Sequence, residues 1–99
     1  MFIHTVYFWS RDDLTPAEAA QLASGVGSLV ALPTIRHGWA GPPAGRMGSA
    51  IDSTYTLGLS LAFDDRQGHD DYQVHPDHLK FVDECSSLWT RAQVYDFNG

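Results

Sequence analysis

Seven residues, Tyr72-Gln73-Val74-His75-Pro76-Asp77-His78, bring a phenol and two imidazoles around a single proline. A phenol of ordinary pKa about 10 is a weak base at neutral pH, and a neighbouring imidazole of about 6.5 can draw its proton or polarise it. Removing a proton α to a carbonyl needs such a base, with a donor for the developing oxyanion. The structural alternative has His78 capping a helix or bonding a backbone carbonyl, with Tyr72 as core. Both readings stand at this point. His4 poses the same choice: on a strand face with Val6 and Phe8, it is either a satisfied core histidine or a pocket residue that orients a ligand carbonyl.

The other histidines carry less. His75 precedes Pro76 and is expected at a helix N-cap, fixing the turn that aims Tyr72 and His78, while His37 and His69 read as surface residues. His69, Asp70, Asp71, His75, Asp77 and His78 include enough N and O ligands for a divalent ion, but no His-Glu-x-x-His or comparable motif is present, and no metal is assigned. Gly25-Val26-Gly27 lies within a helical pattern, so it is not a phosphate loop. No Ser-His-Asp or Cys-His nucleophile arrangement is visible. Cys85 falls on an apolar helix stripe and reads as a buried, inert thiol.

The elements that must position these groups follow from periodicity. Phe2 to Trp9 alternates as a strand with two bulky faces, Phe2, His4, Val6, Phe8 and Ile3, Thr5, Tyr7, Trp9. Thr15-Pro16-Ala17-Glu18 opens a helix as a capping box, with Ala19, Leu22, Val26 and Leu29 on its apolar face and Leu32-Pro33 as its stop. Thr34 to Ala40 reads as a strand, Gly41 to Gly48 as a loop, and Tyr55 to Phe63 as a strand with Leu57, Leu59 and Leu61 on its bulky face. Asp64-Asp65 caps a short helix through Gln73. A second helix runs from Pro76 to Trp89, with His78, Phe81, Val82, Cys85, Leu88 and Trp89 on one stripe. Arg91 to Phe97 closes the chain as a strand. The order βαββαβ predicts an α+β fold, a four-stranded antiparallel sheet with its helices on one face. The other face, with Tyr7 and Trp9, then needs a cover, and a twofold dimer supplies one.

Composition narrows the partners. Ninety-nine residues make one domain, 1–99. A net charge of −6, with only six Lys and Arg and no cluster among them, argues against nucleic acid. No run is long enough to span a membrane, and the first residues lack the pattern of a signal peptide. One cysteine excludes an internal disulfide, so a cytoplasmic setting is expected.

Together, His4-Thr5-Val6, the segment Asp71-Tyr72-x-x-His75-Pro76-x-His78, Trp89, and the closing Val94-Tyr95-Asp96-Phe97 resemble the stress-responsive dimeric α/β-barrel (Dabb) family across nearly the whole chain. The resemblance implies a ferredoxin-like protomer and a homodimer whose sheets face each other as a barrel. In the family's plant polyketide cyclases, residues matching Tyr72 and His78 carry catalysis without a cofactor, and one matching His4 lines the pocket. Leu22 and Ala23 depart from the bulky aromatics of that branch, which places the substrate in question.

The expectation is therefore a small-molecule pocket with Tyr72, His78 and His4 as catalytic residues and Val6, Leu22, Leu59, Phe81 and Trp89 as its walls. Its ligand would be a small hydrophobic carbonyl compound, and its reaction that of a cofactor-free cyclase or lyase. A non-catalytic stress-associated binding or structural dimer is the alternative. A cofactor-free monooxygenase of the wider superfamily is the third.

Overall fold

The Thr15 cap forms as the sequence predicts: Thr15 Oγ1 accepts from Glu18 N at 3.1 Å, and Glu18 Oε1 accepts from Thr15 N at 3.0 Å. It opens α1 (Pro16–Ser28), which follows β1 (Phe2–Ser10). A 3₁₀ turn, Leu29–Ala31, leads to β2 (Ile35–Gly41) and then β3 (Leu57–Phe63). Next come α2 (Arg66–Gln73), α3 (Pro76–Cys85), a second 3₁₀ turn over Ser86–Leu88, and β4 (Trp89–Asn98). This computed structural model describes all residues, 1–99.

The sheet order is β2-β3-β1-β4, and every neighbouring pair is antiparallel. This is the ferredoxin-like α+β arrangement. Pairing of His4 with Leu61, Val6 with Leu59 and Phe8 with Leu57 puts the bulky residues of β1 and β3 on one face. Leu22, Val26 and Leu29 come down on that face, and Phe81, Cys85 and Leu88 complete the core. Ala19, expected beside them, is exposed. α1 and α3 approach closely because Gly25 has no side chain: a Cβ there would lie 2.9 Å from Cys85 Sγ and 3.1 Å from the Phe81 ring.

The helix expected to reach Trp89 ends at Cys85. Ser86 and Ser87, weak helix formers, lie in the tighter 3₁₀ turn that follows. Trp89 therefore begins β4, where its ring stacks on Phe81 at 5.6 Å and meets Phe8 at 4.9 Å. The helices do not cover all of the sheet. Val94 shares the helix-side face with Val6, yet it is 44% exposed. Val82, one turn beyond His78 on α3, is also exposed.

Successive residues of β1 serve opposite sides. His4, Val6 and Phe8 face the helices, while Ile3, Thr5 and Tyr7 face away with Tyr95 and Phe97 of β4. On this open face Trp39 is 65% and Tyr95 59% exposed. The Arg91 guanidinium lies 4.2 Å from the centre of the Trp9 ring, and Trp9 Nε1 donates to Thr54 Oγ1 at 2.9 Å. Gly58 keeps its Cα hydrogen beneath Tyr7 and Tyr55, whose rings lie 4.8 Å apart. No helix is long and apolar enough to cross a membrane.

Candidate active site

Three elements bring the sequence-selected residues together. β1 supplies His4, α2 supplies Tyr72, and α3 supplies His78. The break between the helices is fixed by His75, the N-cap of α3, whose Nδ1 accepts from Asp77 N at 3.1 Å. Pro76 occupies the first helical position, where no N–H is needed. With the chain turned there, the Tyr72 and His78 rings lie 4.7 Å apart and tilted by 60°. Tyr72 also sits edge-on to His4 at 6.1 Å.

Each group has its own electrostatic setting. Tyr72 is 2% exposed, and burial pushes its phenol well above the usual value, so it is a proton donor at neutral pH rather than a base. His4 Nδ1 lies 2.6 Å from Asp96 Oδ1. Burial lowers the His4 pKa most, Asp96 opposes that by hydrogen bond and charge, and His69 lowers it slightly further. The ring is thus neutral at neutral pH, and the contact is a hydrogen bond from imidazole to carboxylate rather than an ion pair. An ionised Asp96 accepts, which puts the hydrogen on Nδ1 and leaves Nε2 with a lone pair. His78 is lowered chiefly by burial. The Gln73 carbonyl favours its protonated form but stands outside hydrogen-bond geometry, so Nδ1 is left buried and unpartnered.

Two members of the cluster escaped the sequence reading. His69 was expected at the surface. Instead it is buried, with its ring 4.6 Å from His4 and 6.1 Å from Tyr72. The spacing His69 to Tyr72 is three residues on one helix, which places both on one face and was the signal available. Asp96 pairs directly with His4 across β1 and β4, a register that strand alternation alone does not supply. His37 is exposed and stacks on Trp39. No three of the His, Cys, Asp and Glu side chains converge as a metal site.

Val6, Leu22, Leu59 and Phe81, expected as pocket walls, are all buried in the packed core, and Trp89 is partly buried against it. Clefts of about 380, 460, 250 and 310 Å³ open on the surface; Phe81 borders the first and Leu59 the last, and none of them is lined by Tyr72 or His78. The cluster meets solvent at the partly buried His78 and at Asp96, whose side chain is 37% exposed.

The fold and sequence define the class. Residues 2–99 match the stress responsive A/B barrel domain, and the chain belongs to that family. A Dabb family protein of ferredoxin-like fold from Mesorhizobium loti superposes with a TM-score of 0.78 at 24% identity, covering 99% of this chain and 95% of that one. A dimeric ferredoxin-like protein from Thermobifida fusca gives 0.79 at 21%, covering 99% and 90%. The hydroxynitrile lyase of Passiflora edulis gives 0.75 at 17%, covering 97% and 90%. At these identities the structural likeness shows the fold. Among curated proteins none matches the sequence.

Proposed function

We propose that this protein is a homodimeric, cofactor-free lyase or cyclase acting on a small carbonyl or hydroxy compound at His4, Tyr72 and His78. The observation that carries the reading is the His4–Asp96 hydrogen bond of 2.6 Å beside a buried, protonated Tyr72. Asp96 holds the His4 ring in the tautomer whose Nε2 accepts a proton. In the cyclase direction His4 takes the proton α to a carbonyl, and the enolate oxygen accepts a hydrogen bond from the Tyr72 hydroxyl. The carbanion attacks a second carbonyl, and the new alkoxide recovers the proton from His4. His78, whose ring lies 4.7 Å from that of Tyr72, borders the same site from α3. The ligand approaches past the partly exposed His78 and Asp96, and exposed Val82, one turn beyond His78, and Val94, two residues before Asp96, suit an apolar compound.

A second copy of the chain covers the open sheet face. Trp39, Tyr95 and Phe97 form an apolar surface there, and relatives of this fold are described as dimeric. The competing reading is a non-catalytic dimer with structural histidines, and it draws on the tight packing of Leu22, Phe81 and Tyr72. The experiment that separates the two is a turnover screen with hydroxynitriles, read by aldehyde release, and with poly-β-keto thioesters, read by ring formation. The enzyme reading requires that Tyr72→Phe and His78→Ala each depress turnover of a substrate the wild type accepts. Unchanged turnover in both variants overturns it.

A further inference from the structure

On the sheet face turned away from the histidine cluster, Tyr7, Trp9, Asp52, Tyr55, Arg91 and Tyr95 line a cleft of about 250 Å³. Four of the six are aromatic. The Tyr7 ring lies 4.8 Å from Tyr55 and 6.4 Å from Tyr95, and Trp9 meets Tyr55 edge-on at 6.5 Å. Walls of this kind favour a flat ring, which can stack or meet them edge to face. The volume suits one ring rather than a larger ligand.

The polar groups of the cleft are held in place. Trp9 Nε1 donates to Thr54 Oγ1 at 2.9 Å, and Thr54 Oγ1 donates in turn to Asp52 Oδ1 at 2.6 Å. Thr54 N donates to the same Asp52 oxygen at 2.9 Å. This chain fixes the indole, and the Arg91 guanidinium stands over it, 4.2 Å from the ring centre. Arg11, Arg36 and Arg66 each meet an aspartate, whereas Arg91 pairs with none. Its protein acceptor is Gln93 Oε1, at a long 3.4 Å. A guanidinium so placed keeps donors for a planar carboxylate. Asp52, whose Oδ1 serves Thr54, has Oδ2 left to accept from a second donor.

We infer that this cleft is a binding site for a small aromatic carboxylate whose ring carries a hydrogen-bond donor. Arg91 holds the carboxylate, the four aromatic side chains hold the ring, and Asp52 accepts from the donor. The site is separate from the chemistry proposed at His4, Tyr72 and His78, which lie on the helix side of the sheet. Tyr7 and Tyr95 belong to the face proposed for the second copy, which would roof the cleft and leave one site per chain.

The test is an NMR titration of the full chain with 4-aminobenzoate, its amide 4-aminobenzamide, and benzoate. Saturable movement of the Trp9 indole Nε1–H signal is expected with 4-aminobenzoate, while the ring signals of His4 and His78 stay in place. The uncharged amide should bind about tenfold or more weakly, and benzoate, which lacks the donor, more weakly than 4-aminobenzoate. Arg91→Gln should bring the acid down to the affinity of the amide, and Arg66→Gln, the same loss of charge on α2, should leave it unchanged. Equal binding of acid and amide overturns the inference. So do the absence of a saturable Trp9 shift at millimolar probe, movement of His78 in place of Trp9, and equal losses in the two arginine variants. Should Arg91→Gln fail to fold, the comparison of acid with amide in the wild type decides.

Discussion

His4 Nδ1 and Asp96 Oδ1, 92 positions apart in sequence, lie 2.6 Å from each other across adjacent strands. The carboxylate selects one tautomer of a buried imidazole, and this is the contact on which an acid–base role for His4 depends. Asp96→Asn keeps the shape but can present its amide hydrogens to Nδ1, favouring the wrong tautomer. Turnover of an accepted substrate is expected to fall about 100-fold or more, within the range that general-base catalysis supplies. Steady-state kinetics check this, and an undiminished rate would remove His4 from the chemistry.

Tyr72 separates stability from chemistry. Burial is the sole influence on its phenol, with no hydrogen bond offsetting it, so Tyr72→Phe loses no protein partner. Unfolding free energy should change by less than about 1 kcal/mol, whereas Tyr72→Ala should lose about 3–5 kcal/mol by emptying a fully buried site. Urea denaturation measures both. A large loss of stability in Tyr72→Phe would show that the hydroxyl is structural.

Acid should weaken the fold in a window set by the buried histidines. His4 and His78 both have folded pKa values below 6.5, chiefly because burial disfavours their cations. Between those values and 6.5 the unfolded chain binds more protons than the folded one, so stability rises with pH there. The stability is lost as pH falls below about 6.5, a window above the ordinary carboxylate range. Denaturation midpoints across this range test the sign, and a flat profile down to pH 5 would contradict it.

Gly25→Ala sets helix propensity against packing. Alanine favours the helix by about 1 kcal/mol. Its Cβ would press into Cys85 Sγ and the Phe81 ring, in a contact where overpacking costs about 1–3 kcal/mol. Net destabilisation is expected. A stabilised variant would mean that α1 and α3 separate readily.

Charge on the open sheet face should split the dimer. Tyr95→Arg places a cation on the face proposed for the second copy, where association would have to desolvate it in both protomers. Sedimentation should report monomers where the wild type reports dimers. A dimer that persists in both Tyr95→Arg and Trp39→Arg would locate the contact elsewhere.

Much of this fold is legible in the sequence because its signals are local. The alternation of Tyr55 to Phe63, the Thr15–Glu18 capping box and the His75-Pro76 turn each act within a few residues. The end of α3 was misplaced because Trp89 continues a helical apolar stripe while it belongs to a strand. Tertiary stacking on Phe8 and Phe81 determines its place. In the candidate site, Tyr72, His78 and His4 are recognisable by type and spacing. Asp96 needed the β1–β4 register, and His69 reads as a surface residue because no motif around it gives it a context.

β1 is a strand with two readers. Its even residues present His4 to the helix side, and its odd residues present Thr5 and Tyr7 to the face proposed for the second copy. A ligand that displaces His4 along the strand would also displace the association surface by the same backbone movement. Thermodynamic reciprocity then applies: whatever factor the ligand contributes to assembly, assembly returns to ligand affinity. Dilution would then act as a second control on occupancy, alongside the supply of the ligand itself.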